Sequence, residues 1–233
     1  APGRGRWYPF VATGDWGRDD ADVPVSFADQ LKLTTGTKSD WSYFHRWHYL
    51  GETIGPVLDA YVLWHEKEDG DIPIGYVSVG PASLASTSRS EVFGKSFNPG
   101  SSRNAKIVNK WFANITRIVL DPRYRGAGLA STLLREACRA HARREQTKYI
   151  EIKTSMGGVN RFAQSAGFQL MGTTSQLEQN DGAGGGRIGR DHIGDETPDG
   201  TKNRSKRIRK VYEFIIDTED ELGVELDYRS DRR

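Results

Sequence analysis

The pattern of apolar and polar positions divides the chain into short strand-like runs around one long amphipathic stretch. Tyr61 to Trp64 is apolar with β-branched and aromatic content, and Ile72 to Val79 alternates in part. Both predict strands, and Asp69-Gly70-Asp71 between them has the chemistry of a hairpin turn. Ile115 to Leu120 reads as a buried strand that Asp121-Pro122 stops. Beyond it, Leu129, Leu133, Leu134, Ala137, Cys138 and His141 recur at three- and four-residue spacing, which predicts a helix with one buried face. Arg135, Arg139, Arg143 and Arg144 fall mostly on its other face. Tyr149 to Thr154 predicts a strand, Asn160 to Ala166 a short helix closed by Gly167, Phe168 to Gly172 a strand and Val211 to Ile216 a last one. Strand, glycine turn, helix, strand, helix, strand is a mixed order, so the expected fold class is α/β (α+β).

The other segments are less regular. Phe27 to Leu33 suits a short helix, Pro81 to Asn104 is rich in Ser and Gly and reads as a long loop, and residues 181–201 read as a flexible Gly- and Asp-rich loop. The expected organisation is an N-terminal extension over residues 1–40 and one domain over 41–233. At 233 residues, 36% hydrophobic and 27% charged, the chain has material for a core and is not a disordered polymer. No apolar run approaches the roughly 18–20 residues of a membrane helix, and no charged-then-apolar signal opens the chain. A lone cysteine, Cys138, excludes an internal disulfide and a structural zinc set, and a reducing, cytoplasmic setting is expected. The net charge of +2 balances 33 basic against 31 acidic residues, so the placement of charge matters more than its sum.

One turn carries recognisable chemistry. Arg125, Gly128 and Ala130 stand as Arg-x-x-Gly-x-Ala between a strand and a helix. Such a turn exposes backbone N–H groups at the positive end of a helix dipole, where a phosphate or pyrophosphate can sit. The turn alone is equally compatible with a plain connector. Its spacing, with the Ala166-Gly167-Phe168 turn downstream, resembles the acyl-CoA-binding motif of the GCN5-related N-acetyltransferase (GNAT) superfamily. That resemblance, over roughly Ile72 to Val211, implies a mixed, splayed central sheet flanked by helices. It implies an acetyl-CoA or related acyl-CoA site formed by Val119, Arg125, Gly126, Ala127, Gly128, Leu129 and Ala130. A narrower set is similar to the Mom branch of bacteriophage DNA-modification proteins and its ATPase-fused relatives. This set comprises His48-Tyr49-Leu50-Gly51, Thr116-Arg117-Ile118-Val119 and Glu151 to Met156 with Asn160 and Ala166-Gly167. It implies carbamoylmethylation of adenine N6 in phage DNA, which blocks host restriction. Asn160-Arg161-Phe162 departs from the Asn-Pro-Phe-Phe of the fused relatives, at the edge of the expected pocket.

Four residues carry the candidate chemistry: His48, Tyr49, Arg117 and Glu151. A histidine serves as base or metal ligand near neutral pH, and a tyrosine as acid or donor. Alternation places Glu151 with Lys153 on the face opposite Ile150 and Ile152. The resemblance implies that this face meets the acceptor cleft, a solvent-facing Glu151–Lys153 edge is the alternative, and a pairing of Arg117 with Glu151 across adjacent strands would satisfy both charges. His48, Tyr49 and Glu151 are also candidate ligands for an iron ion. Cys138 reads as core. Lys202, Arg204, Lys206, Arg207, Arg209 and Lys210 form a basic cluster suited to the phosphates of double-stranded DNA, although a solvated charge run has the same composition. An enzyme acting on adenine in a duplex must flip the base out. Two enzyme classes stay open: the DNA modifier and an acetyl-CoA-dependent N-acetyltransferase acting on a small amine or protein. A silent acyl-CoA or nucleic-acid binding module is a third class. The resemblance leaves the small-molecule group donor unnamed, and a monomer or a dimer equally open.

Overall fold

The computed structural model describes residues 7–8, 28–48, 53–97, 102–177 and 208–228. These residues build one sheet of eight strands: β1 (Trp7–Tyr8), β2 (Leu31–Gly36), β3 (Asp59–His65), β4 (Ile72–Pro81), β5 (Phe112–Leu120), β6 (Tyr149–Thr154), β7 (Gln169–Leu177) and β8 (Ile208–Asp217). Their order across the sheet is β1-β2-β3-β4-β5-β6-β8-β7. Every neighbouring pair is antiparallel except β5 with β6, which the helix α4 (Leu129–Glu145) joins as a parallel crossover. Shorter helices are α1 (Trp41–Phe44), α2 (Thr87–Phe93), α3 (Ser102–Trp111) and α5 (Phe162–Ser165).

The crossover positions the site. Leu129, Leu133, Leu134, Ala137 and Cys138 are buried and share the main core with Leu63, Val77, Ile115, Ile150 and Ile152. Each aliphatic side chain so buried contributes roughly 1.5–3 kcal/mol. The opposite face is covered in two parts. Trp41 and Phe44 of α1 pack on Val62, Trp64, Tyr76 and Val119, while Val108 packs with Phe112 beside Phe93, Phe97 and Tyr149.

The parallel pairing of β5 with β6 is short. It runs from Phe112 opposite Tyr149 to Ile115 opposite Ile152 and then stops. Beyond that rung β5 stays with β4 as far as Leu120, and β6 stays with β8 as far as Thr154. A bulge between Ser78 and Val79 lies near the point of parting, and bulges increase local twist. The sheet is therefore mixed and splayed, as the sequence motifs imply.

Expectations for two segments are corrected. The helix expected over Phe27 to Leu33 is not formed by residues 28–33: one 3-10 turn (Ala28–Gln30) leads directly into β2, because Leu31 and Leu33 bury against the core when paired with β3. The sheet thus begins upstream of the boundary expected at residue 41. Pro81 to Asn104 is not a plain loop but contains α2, a 3-10 turn (Lys95–Phe97) and the start of α3. Ser86 caps α2 by accepting from the Arg89 N–H, and Gly94 ends it with φ of +89°.

Glu151 does not face a cleft, and it does not pair with Arg117. The register sets Asn114, not Arg117, opposite Glu151. The Glu151 carboxylate lies buried under α2, where Arg89 donates to it from Nε at 2.7 Å and from Nη2 at 2.9 Å. Arg89 also donates to the carbonyls of Ser83 and Phe97. Alternation placed Glu151 correctly away from the isoleucines but said nothing of what covers that face.

Removing one partner of a buried pair costs about 3–5 kcal/mol, since the other charge is left uncompensated. Arg89→Met should lower urea-unfolding stability by about that amount, and the double variant Arg89→Met/Glu151→Leu should recover most of it. Two additive losses would show that the pair does not act as a unit.

Candidate active site

The turn after β5 is built by local hydrogen bonds. Asp121, whose side chain is almost wholly buried, accepts from the Arg123 N–H at 2.9 Å and pairs with the Arg123 guanidinium. These bonds hold the Asp121 carboxyl below its usual range, the Arg123 side-chain hydrogen bond being the main cause. Arg125 donates to the Leu120 carbonyl from Nε and Nη2, at 3.2 and 3.1 Å, and to the Trp47 carbonyl at 3.3 Å. It fastens the turn to the end of β5 and to the segment carrying His48. Gly126 and Gly128 have φ of +89° and +70°. No atom crowds a side chain at Gly126, so backbone conformation alone favours glycine there. Gly128 is the N-cap of α4 and supplies no capping side chain, so N–H groups of the first turn point outward.

Against this turn lies a cavity of about 510 Å³. Arg125, Gly126, Gly128, Leu129 and Ala130 line one end, and Ile118, Val119 and Leu120 of β5 line its length. Ala127 packs partly buried against the main core instead. Asn160, Arg161 and Phe162, singled out in the sequence as a pocket edge, do form its wall, with Arg161 exposed. Trp47, His48, Ser131, Met156 and Ser165 complete it; His48 and Met156 stand in the motif segments of the sequence, and no motif marked Trp47, Ser131 or Ser165.

A second cavity, about 130 Å³, sits where β5 and β6 part. Ile115 to Ile118 and Ile152 to Thr154 line it, and His48, Ile118, Met156 and Phe162 border both cavities. His48 follows a 3-10 turn (His45–Trp47) and lies edge-on to Trp41, with ring centroids 5.2 Å apart. Burial, and then the charge of Arg117, push its pKa down to about 4. Its ring is neutral at physiological pH. Arg117 donates to the carbonyls of Thr116 and Thr53, at 2.7 and 2.9 Å, and lies over the Trp41 ring.

The other candidates fall differently. Tyr49, Lys202, Arg204, Lys206 and Arg207, with the loop at 181–201, lie outside the described residues. Arg209 is described only as part of β8, and Lys210 is exposed beside the Tyr212 ring. Among the described residues no three His, Cys, Asp or Glu side chains cluster as metal ligands. The expected iron set is broken at Glu151, whose carboxylate is buried against Arg89 of α2. Cys138 is buried in the core, and burial pushes its thiol well above the usual range. No helix among the described residues is long and apolar enough to cross a membrane.

A strand that parts from its parallel neighbour, with a glycine turn and helix N-terminus at its end, defines an acyl-CoA transferase architecture. Residues 33–168 match the acetyltransferase (GNAT) family model, more than half of the chain, and the chain belongs to that family. Among solved structures it is similar to a mutant form of the spermidine/spermine N-acetyltransferase SpeG from Vibrio cholerae. The identity is 14%, over 83% of this chain and 98% of that one, with a TM-score of 0.50. It is also similar to a GNAT-family acetyltransferase from Bacillus anthracis at 11% identity, over 82% and 96% of the two chains, with a TM-score of 0.46. Comparison with curated protein sequences gives no match. GNAT enzymes use acetyl-CoA, and the uncapped α4 N-terminus, the left-handed glycines and the long cavity fit that group.

The lowered His48 pKa has a signed consequence. The unfolded chain protonates this imidazole from about pH 6.5 downward, whereas the folded chain resists until about 4. His48 therefore contributes stability that is lost as pH falls between those values. An NMR titration should place its midpoint near 4, and Arg117→Met should move it upward; an unmoved midpoint would exclude the Arg117 charge as a cause.

Proposed function

We propose that this protein transfers the acetyl group of acetyl-CoA to the primary amine of a small molecule. The observation that carries this reading is the run of cavity from the α4 N-terminus, along β5, to the parting of β5 and β6, with His48 bordering both parts. The outward N–H groups of the α4 turn and the exposed Arg161 suit a pyrophosphate. Among the described residues no strand pairs with β5 past Ile115 on the β6 side, so an extended ligand can lie along Ile118 to Leu120. Acetyl-CoA supplies an activated thioester carbonyl. In the net reaction the amine nitrogen bonds to that carbon, the C–S bond breaks, and the proton lost by the amine ends on the thiol. His48, neutral and at the junction of the cavities, is the group placed to take a proton from the amine.

Adenine modification in DNA finds less support. It drew on His48, Tyr49 and Glu151 acting together, but Glu151 is enclosed with Arg89. Tyr49 and most of the basic cluster lie outside the described residues.

Thiol release from acetyl-CoA should depend on an added primary amine, and mass spectrometry should find the acetylated amine. His48→Ala should lower kcat by about 10²-fold, the low end for acid–base catalysis, because a base of such low pKa takes protons weakly. Acetyl-CoA left intact with every amine, together with a modified adenine in a nucleoside digest of DNA, would overturn the proposal in favour of the DNA reading.

A further inference from the structure

We infer that His65, at the end of β3, is a positioning residue for acetyl-CoA: through the Tyr124 hydroxyl it fixes the turn between β5 and α4 in the form that receives the cofactor. The inference rests on the acetyltransferase reading and adds to it a residue that lines neither cavity.

The turn needs support from outside. Gly126 and Gly128 both stand at positive φ, and glycine loses more conformational freedom on ordering than any other residue. A segment that must be ordered on binding lowers affinity, and one held beforehand raises it. The residues just ahead of the glycines are where such a hold acts. Asp121 donates its N–H to the Ile74 carbonyl of β4 at 2.8 Å, where the turn begins. Arg125 is exposed and reaches the Leu120 and Trp47 carbonyls at 3.1 to 3.3 Å. Between them Tyr124 makes the shortest of these bonds, its hydroxyl 2.6 Å from Nδ1 of His65, 59 positions away. The two rings also meet edge-on, with centroids 5.5 Å apart.

His65 is itself held. It stands opposite Leu31 of β2 and Ile72 of β4, and it is only 8% exposed. Its Nε2 lies 2.8 Å from Gln30 Oε1, and the Gln30 carbonyl accepts from the Glu66 N–H at 2.7 Å. These contacts specify the tautomer. An amide oxygen only accepts, so Nε2 carries the hydrogen and Nδ1 presents its lone pair to the Tyr124 O–H. Burial, and then the charge of Lys67, hold the His65 pKa below its usual range, which keeps that lone pair available. Burial raises the pKa of Tyr124, so the hydroxyl keeps its proton. Donors and acceptors are thus matched from Tyr124 through His65 to Gln30. The turn is tied to β2 and β3, on the far side of β5 from the parting strands.

The test measures CoA binding to the full chain by calorimetry, beside steady-state kinetics with the amine that supports the fastest thiol release. In Tyr124→Phe and in His65→Leu the Kd of CoA and the KM for acetyl-CoA should rise about three- to tenfold, the scale of one hydrogen bond, with kcat at saturating acetyl-CoA retained. His65→Asn keeps an acceptor near the place of Nδ1 and should restore most of the affinity. The double variant Tyr124→Phe/His65→Leu should lose no more than either single one, because both remove the same bond. A lowered melting temperature with an unchanged Kd for CoA would make His65 purely structural and overturn the inference. Additive losses, or a fall in kcat in place of a raised KM, would overturn it too. If His65→Leu does not fold, Tyr124→Phe decides alone, since it removes one oxygen from a partly buried ring. CoA bound by the parent without thiol release to any amine would overturn the acetyltransferase reading and leave the Kd comparison to decide this inference. No CoA binding by the parent would overturn both.

Discussion

The structure turns on a parallel ladder of only four rungs, Phe112–Ile115 against Tyr149–Ile152. A longer ladder would close the sheet and leave no room between β5 and β6. A shorter one would leave α4 without a common floor, because its buried face packs on Ile115, Ile150 and Ile152 together. The ladder holds the two strands at one end, and their other partners draw them apart at the other end. Among the described residues no strand pairs with β5 past Ile115 on this side, and backbone groups left open there are met by solvent or by a ligand. The cavity is a consequence of that constraint, and the glycine turn sits at its far end because β5 continues to Leu120 before α4 begins.

The second face of the sheet depends on a different interaction. Buried ion pairs cost desolvation and seldom stabilise more than well-packed apolar side chains would. Arg89 with Glu151 is fully enclosed and also satisfies two carbonyls, so it fixes where α2 docks. Glu213, on β8 next to the ladder, does similar work for Lys153 and Ser86. Polar groups on this face are spent on position. That separates the buried carboxylates from the reacting site, although all of them lie on neighbouring strands.

Much of this was legible in the sequence where local pattern and tertiary packing agree. The buried face of α4, the limits of β6 and the hairpin of β3 with β4 follow from periodicity and turn chemistry. The glycine turn was legible because positive φ and close backbone approach demand particular residues. What periodicity does not carry is the partner of a given face. Glu151 was placed on the right side of its strand, but Arg89 stands 62 positions away in a Ser- and Gly-rich segment with few apolar residues. β2 was missed for a related reason. Leu31 and Leu33 are too short a run to outweigh neighbouring helix-compatible residues until β3 supplies the pairing.

The reactive centre then follows from electrostatics more than from residue identity. A histidine at the junction of two cavities could act as a base only in its neutral form. Burial and Arg117 together secure that state, at the expense of basicity. Arg117 could have been neutralised by Glu151, as strand alternation suggested, but the register sends that carboxylate to Arg89. Arg117 instead lies at the cavity wall, where its charge adds to burial in keeping His48 unprotonated. One register choice on a four-rung ladder thus sends the Glu151 carboxylate to Arg89 and leaves the protonation state of His48 to burial and Arg117.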